Sequence, residues 1–263
     1  MNILVCIKQV PDMEGWFVPN DSGSWFEEGG HVWRMNEYDL CAVEEAVRLK
    51  DTLGGAARVT VLSIGPSRVV ETIRKALAMG CDHGVHIDDS SAPERDSWQI
   101  AAMIAGFAAD RGFDLVFTGM QSEDRSSAQV GVLVAERLGI ASATGITSLV
   151  WHDDSVTVER ELERGRRCQL RLKLPVLLTC QLGLNTPRYT TLPNIMKSKR
   201  AVLTVLRPED SGIEAPRVSS SEFRPYERNA AGIVLEGDAG TVALQVLALL
   251  DERGIIPAQG GVR

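Results

Sequence analysis

The five cysteines of this chain, Cys6, Cys41, Cys81, Cys168 and Cys180, include no C-x-x-C pair, and His31, His83, His86 and His152 are scattered away from them. That removes the common zinc sites and predicts no metal, leaving free thiols in a reducing compartment. No G-x-G-x-x-G follows the first apolar run, and neither G-x-x-x-x-G-K-S/T nor G-x-S-x-G occurs, so the usual dinucleotide, P-loop and hydrolase signatures are missing. Carboxylates abound, but none sits beside a histidine or alone in an apolar setting that would tune it for acid–base work, and no catalytic residue is expected. No run of 18 apolar residues exists, and "MNILVCIKQV" lacks the basic leader and cleavage site of an export signal; a cytoplasmic protein without membrane insertion is the expectation. Positive charge is in deficit, 28 basic against 35 acidic side chains for a formal charge of −7, which disfavours nucleic acid and anionic lipid as partners. Aromatics are few, 5%, yet Trp16, Phe17, Trp25, Phe26 and Trp33 crowd into one Gly- and Asp-rich stretch.

What remains is a soluble composition, 44% hydrophobic over 263 residues, enough for a sizeable core. "NILVCIKQV" predicts a buried strand, "NEYDLCAVEEAVRLKD" a helix that Asn36 caps, "RVTVLSIG" a strand, and Pro66 opens a helix whose Val69, Ile73 and Leu77 share a face. "GVHIDD" and "DLVFTG" are further strands, with helices over Ser97–Asp110 and roughly Ser126–Leu138. Alternation of this kind predicts an α/β fold, a mostly parallel sheet covered by helices. Ligands of such sheets bind beyond the carboxyl ends of the strands, here Lys8–Pro11, Ser63–Pro66 and Thr118–Asp124. After Thr147 the period becomes two on both sides of Arg164–Gly165, a β-hairpin; "PVLLTCQLGLN" is a buried strand. Pro208–Tyr226 has the composition of a linker or arm, and Val242, Val246, Leu249 and Leu250 return to helical spacing.

Two segments invite a function. In "TGMQSEDRSSAQVGVLVAERLG" a polar loop joins a strand end to a helix starting near Ser127. Free N–H groups and the helix dipole there favour an anion, with Arg125 and two hydroxyls to complete a phosphate cradle; alternatively Ser126 or Ser127 only caps the helix. In "TTLPNIMKSKR" Leu192, Ile195 and Met196 stand beside Pro193 and a basic cluster, either a turn around the core or an arm for a partner.

The segments "NEYDLCAVEEAVRLKD", "ETIRKALAMG", "GMQSEDRSSAQVG", "VERELERG", "QLRLKLPVLLTC" and "NTPRYTTLPNIMKSK" together resemble the small, beta subunit of electron transfer flavoproteins, from the first strand to about residue 206. The resemblance implies an adenine-nucleotide-binding, Rossmann-like domain over 1–206, with a hairpin at about 148–175 and a partner-recognition loop at about 183–200. Residues 207–263 would be an arm and a C-terminal helix packing on an alpha subunit, which forms the heterodimer and holds most contacts to FAD. In this chain the resemblance implies AMP with a structural role, or a second FAD as in electron-bifurcating members, which oxidise NADH. Cys6 and Asn36 would lie against the adenine with Ser63 and Gly65 nearby, and Asp124, Arg125, Ser126, Ser127, Ala128 and Gln129 would wrap the phosphate. Leu192 would enter an apolar pocket on a flavin dehydrogenase, such as an acyl-CoA dehydrogenase of fatty acid beta-oxidation, with Pro193, Ile195, Met196, Lys197 and Lys199 around it. Glu161 would contact the mobile flavin domain; the plainer reading pairs it with Arg160 or Arg164. Bifurcating members have "D-G-D-T-A-Q-V-G-P" where this chain has "EDRSSAQVGV", so Arg125 replaces Gly and favours AMP. Met13 stands where some members carry an aromatic. A universal-stress-type nucleotide module shares the alternation but would need neither hairpin nor arm.

Overall fold

The first apolar run becomes β1 (Asn2–Cys6), buried from Ile3 onward as a strand with neighbours on both sides must be. The computed structural model describes residues 1–23, 25–219 and 232–256, in two compact units, Met1–Arg224 and Pro225–Arg263. In the first unit β1 lies between β4 (Arg58–Gly65) and β6 (Leu115–Gly119); β5 (His83–Asp88) and β11 (Thr204–Leu206) extend the sheet on one side, β10 (Val176–Cys180) and β7 (Ala141–Trp151) on the other. All these neighbours pair in parallel. The expected hairpin, β8 (Ser155–Glu161) and β9 (Arg167–Lys173), is present and pairs antiparallel onto β7, so the sheet ends in a three-stranded meander rather than a separate hairpin. The run through Val10 does not continue as one strand. It breaks at Ile7–Lys8, and β2 (Gln9–Pro11) pairs antiparallel with β3 (Trp33–Met35).

Period-two alternation sends Ile3, Val5, Val59, Val61 and Leu178 to one face of the sheet, under α1 (Glu37–Thr52) and α2 (Val69–Met79). Leu4, Leu62, Val116 and Leu177 go to the other, under α3 (Ser97–Ala108) and α4 (Val130–Leu138). The Rossmann-like α/β expectation thus holds. At two helix starts the details differ from the sequence reading, although α1 does follow directly on Asn36. Asn36 makes no side-chain cap bond, its amide being used elsewhere. α4 begins at Val130 rather than near Ser127, because Ser126 (φ 49°) and Ala128 (φ 52°) are left-handed and cannot extend a right-handed helix; neither serine caps it.

The segment "TTLPNIMKSKR" is a helix, α5 (Leu192–Arg200), which Thr191 caps by accepting the Asn194 N–H, and not an irregular loop. It packs on α2, where the Arg74 guanidinium donates to the carbonyls of Ser198, Lys199 and Ala201 at its C-terminal end. The stretch from Pro208, whose composition suggested a linker, is tied to α3 and α4 as far as Val218. Glu214 accepts from Trp98 and, through both oxygens, from Arg137, while Asp96 accepts the N–H groups of Arg217 and Val218. A methyl group on Gly106 would come within 2.3 Å of the Ser211 carbonyl. Gly106→Ala is therefore expected to destabilise by about 1–3 kcal/mol, as overpacking does, although an exposed helical Gly→Ala ordinarily stabilises by roughly 0.5–1 kcal/mol; thermal unfolding reads the sign.

In the second unit α6 (Ala239–Glu252) is capped by Asp238, which accepts the Thr241 N–H, and none of its residues is buried. Leu244 and Leu247 are exposed. No described helix is long and apolar enough to cross a membrane.

Candidate functional site

Parallel strands aim their carboxyl ends at one edge, and the loops after β1, β4 and β6 meet there around a cleft of about 170 Å³, far more than the ~10–15 Å³ a single water needs. One wall is apolar, with Leu62, Ile64, Ile100 and Ile104. The other is the polar loop from Met120 to Gln129. Cys6, Asn36, Gly65, Asp124, Arg125, Ser127, Ala128 and Gln129, expected here from the sequence, all line the cleft. Ser63 and Ser126 do not. On β4 Leu62 and Ile64 face the cleft, so the intervening Ser63 side chain points to the opposite face, where its buried hydroxyl has no partner among the described residues; Ser126 turns back, its N–H donating to the Ser122 carbonyl.

The polar loop is shaped by two residues near the start of α1. The Asn36 amide donates to the Gln121 carbonyl and its oxygen accepts the Glu123 N–H. Asp39, 5% exposed, accepts the Lys8 N–H at 2.7 Å and the Gly119 N–H at 2.9 Å, so one carboxylate joins the ends of β1 and β6. Burial pushes its pKa up to about 7, against the pull of those hydrogen bonds. Burial together with the Asp39 charge also holds the Cys6 thiol far above its ordinary value, which makes Cys6 a wall residue and not a nucleophile.

Within the loop Ser126 and Ala128 are left-handed, and left-handed residues alternating with right-handed ones form backbone concavities that suit anions. The N–H groups of Ser127, Ala128 and Gln129 have no acceptor among the described residues, and α4 begins directly behind them. Lys8 adds a cation. Its ammonium, whose pKa burial lowers and Asp124 raises, is paired with Asp124 at 2.6 Å. Close packing of α4 on the sheet depends on Gly131, where a methyl would meet Thr179 Cγ2 at 2.7 Å and Thr118 Oγ1 at 2.8 Å.

The sequence reading placed Lys8 at a strand end without giving its side chain a role, assigned no place to the aromatic stretch, and missed Asp39. Trp25 and Trp33 line the cleft, held by stacking around Phe26, with Arg68 3.8 Å over Trp33. The signal for Lys8 was available: a lone cation ending an apolar strand run marks where the strand meets solvent or ligand. Nothing in the spacing brings Trp25 to Arg125.

The segment around Leu192 is remote from the cleft but is held through the same helix. Asn185 donates to the Cys41 carbonyl and to Glu45, and Arg188 pairs with Glu44 and Asp51, all on α1. Leu192 is 72% and Met196 48% exposed, four residues apart and hence on one face; Pro193, Lys197 and Lys199 are exposed beside them and Ile195 is half-buried. Glu161 ends β8 exposed, opposite Arg167, and forms no ion pair among the described residues; Glu159, two positions earlier, takes Arg167. Of the cysteines, Cys6, Cys41, Cys81 and Cys180 are buried and free, and Cys168 is half-buried. No group of three potential metal ligands occurs among the described residues.

The family model described as "Electron transfer flavoprotein domain" matches residues 24–211. The chain belongs to the electron transfer flavoprotein family, among its beta subunits. It is 34% identical over 255 residues to an electron transfer flavoprotein subunit beta of Bacillus subtilis (strain 168), covering 95% of this chain and 97% of that one. To the mouse and human proteins of the same name it is 36% and 35% identical, in each case over 246 residues covering 92% of this chain and 96% of the relative. The match to the electron transfer flavoprotein family spans the meander and the α5 segment, which a stress-type nucleotide module would not need.

Proposed function

We propose that the cleft holds AMP as a structural ligand, and that the chain, with an alpha subunit that holds FAD, carries electrons from flavin dehydrogenases to a downstream acceptor. The observation that carries the nucleotide reading is the set of three unpaired N–H groups at Ser127, Ala128 and Gln129, placed across from an apolar wall. A phosphate fits the first and an adenine ring the second. Asp124 contributes backbone and charge balance rather than its carboxylate, which Lys8 occupies and which would repel a phosphate. The flavin supplies the redox chemistry; this chain supplies the platform, with α6 covered by the alpha subunit, Glu161 touching the flavin-bearing part, and Leu192 docking the dehydrogenase. A second reading, a second FAD in a bifurcating complex that oxidises NADH, draws support from the reach of the cleft as far as Trp33 and Arg68.

Mass spectrometry of the nucleotides released on denaturing the chain, purified with its co-expressed alpha subunit, tests this. One AMP and one FAD per heterodimer is the expected result. Two FAD and no AMP would replace the carrier by the bifurcating reading, and no adenine nucleotide beyond one FAD would remove the function assigned to the cleft.

A further inference from the structure

Arg125 is a cation without a paired carboxylate among the described residues. Its guanidinium lies 4.6 Å from the centroid of the Trp25 ring and donates to the Pro93 carbonyl on the far side of the cleft; among the described residues no carboxylate pairs with it. Trp25 is fixed in place: the Asn20 N–H donates to its carbonyl at 2.8 Å, and its ring packs on Phe26 with centroids 4.7 Å apart. Its indole Nε1 is buried and has no partner among the described residues. Both residues line the cleft together with Pro93, so a donor and a cation, neither satisfied by an anion of the protein, border the same cleft as the three free loop N–H groups.

We propose that Arg125 is a latch for a terminal phosphate monoester: it leaves the Pro93 carbonyl for the phosphate of the ligand, with Trp25 as its resting platform and the Trp25 indole N–H as a further donor to the ligand. The proposal rests on the nucleotide reading of the cleft. A guanidinium binds phosphate oxygens by charge-assisted, bidentate hydrogen bonds stronger than its bond to a neutral carbonyl, so the exchange is favourable. Charge selects the monoester. Lys8 is already neutralised by Asp124, which leaves Arg125 and the loop N–H groups to be matched by the dianion. A pyrophosphate diester such as FAD has its two negative charges on two different phosphates, so neither presents a dianion to Arg125, and its second substituent would have to pass Arg125, Trp25 and Pro93, which border the cleft together.

The test is equilibrium binding of adenosine, AMP and FAD to the full chain and to Arg125→Ala, Arg125→Lys and Trp25→Phe. Losing a charge-assisted contact predicts AMP binding about ten- to a hundred-fold weaker in Arg125→Ala, with adenosine unchanged, FAD tighter than in wild type, and part of the AMP affinity restored in Arg125→Lys. Trp25→Phe, which keeps an aromatic face but removes the indole N–H, weakens AMP several-fold. Equal losses for AMP and adenosine would show that Arg125 only shapes the loop and would overturn the latch. So would unchanged AMP affinity, or FAD binding to wild type as tightly as AMP. A wild-type chain that takes none of the three removes the nucleotide reading itself, and the latch with it, an outcome distinct from the others.

Discussion

Leu192→Ala is expected to slow electron transfer from a partner flavin dehydrogenase by about tenfold or more, the scale of a lost interface anchor, while the nucleotide content of the protein stays the same. The side chain is 72% exposed and makes no demand on the core, so its removal costs the fold little. Its setting is rigid. The Thr191 cap, the Arg74 grip on the last carbonyls of α5 and the Glu44–Arg188 pair hold the helix ready, so binding has little ordering entropy to overcome. Leu192 and Met196 form one apolar stripe, with Lys197 and Lys199 exposed beside it, the apolar centre and charged rim of a docking site. Stopped-flow reduction by the dehydrogenase reads the effect; equal rates for wild type and variant would withdraw the docking role. Arg188→Leu separates position from contact. It leaves Leu192 in place but frees the segment from Glu44, and a smaller loss of rate is expected.

The alternation of strands and helices was legible because Val, Ile and Leu recur with period two or near 3.6 in most elements of the parallel core. β7 was not. In Ala141–Trp151 serine, threonine and glycine interrupt the pattern; Gly145 (φ 63°) lies where the pairing with β10 shifts register, and the pairing with β8 shifts between Ile146 and Ser148, irregularities that period-two reading does not see. The polar loop after β6 was legible as part of a cleft from its place beyond a strand end. The start of α4 was misplaced because left-handed residues other than glycine leave little trace in sequence. Asp39 looked like an ordinary acid in the first turn of a helix, and only the fold brings the ends of β1 and β6 to it. Trp25 belongs to a stretch of mixed composition whose position against Arg125 is a purely tertiary fact.

Asp39→Ala is expected to cost the protein about 2–6 kcal/mol and to empty the cleft. Two backbone N–H groups, of Lys8 and Gly119, lose their shared acceptor, and each buried donor left unsatisfied costs roughly 1–3 kcal/mol. The loop they anchor is the one that carries the free N–H groups of the cleft, so retained nucleotide falls with stability. Asp39→Asn isolates the charge. An amide presents one acceptor and one donor, so at least one of the two N–H groups faces a donor, and nucleotide retention is again expected to drop. The pH dependence separates the two effects. The folded pKa of about 7 lies above the unfolded value near 3.9, so between those values the folded state holds a proton that the unfolded state has released. The contribution of this group to wild-type stability is therefore full below about pH 4 and is lost as pH rises to about 7, with a slope of at most about 1.4 kcal/mol per pH unit. Lys8 is the cation that opposes the shift, and the thiols of Cys6 and Cys180, which feel the charge of Asp39, stay protonated throughout this range. Asp39→Asn has no such proton. Its stability deficit relative to wild type should be largest near pH 4 and shrink towards pH 7, as read by denaturant unfolding at a series of pH values; a deficit that stays constant across that range would mean that Asp39 is ionised throughout and that the two hydrogen bonds outweigh its burial.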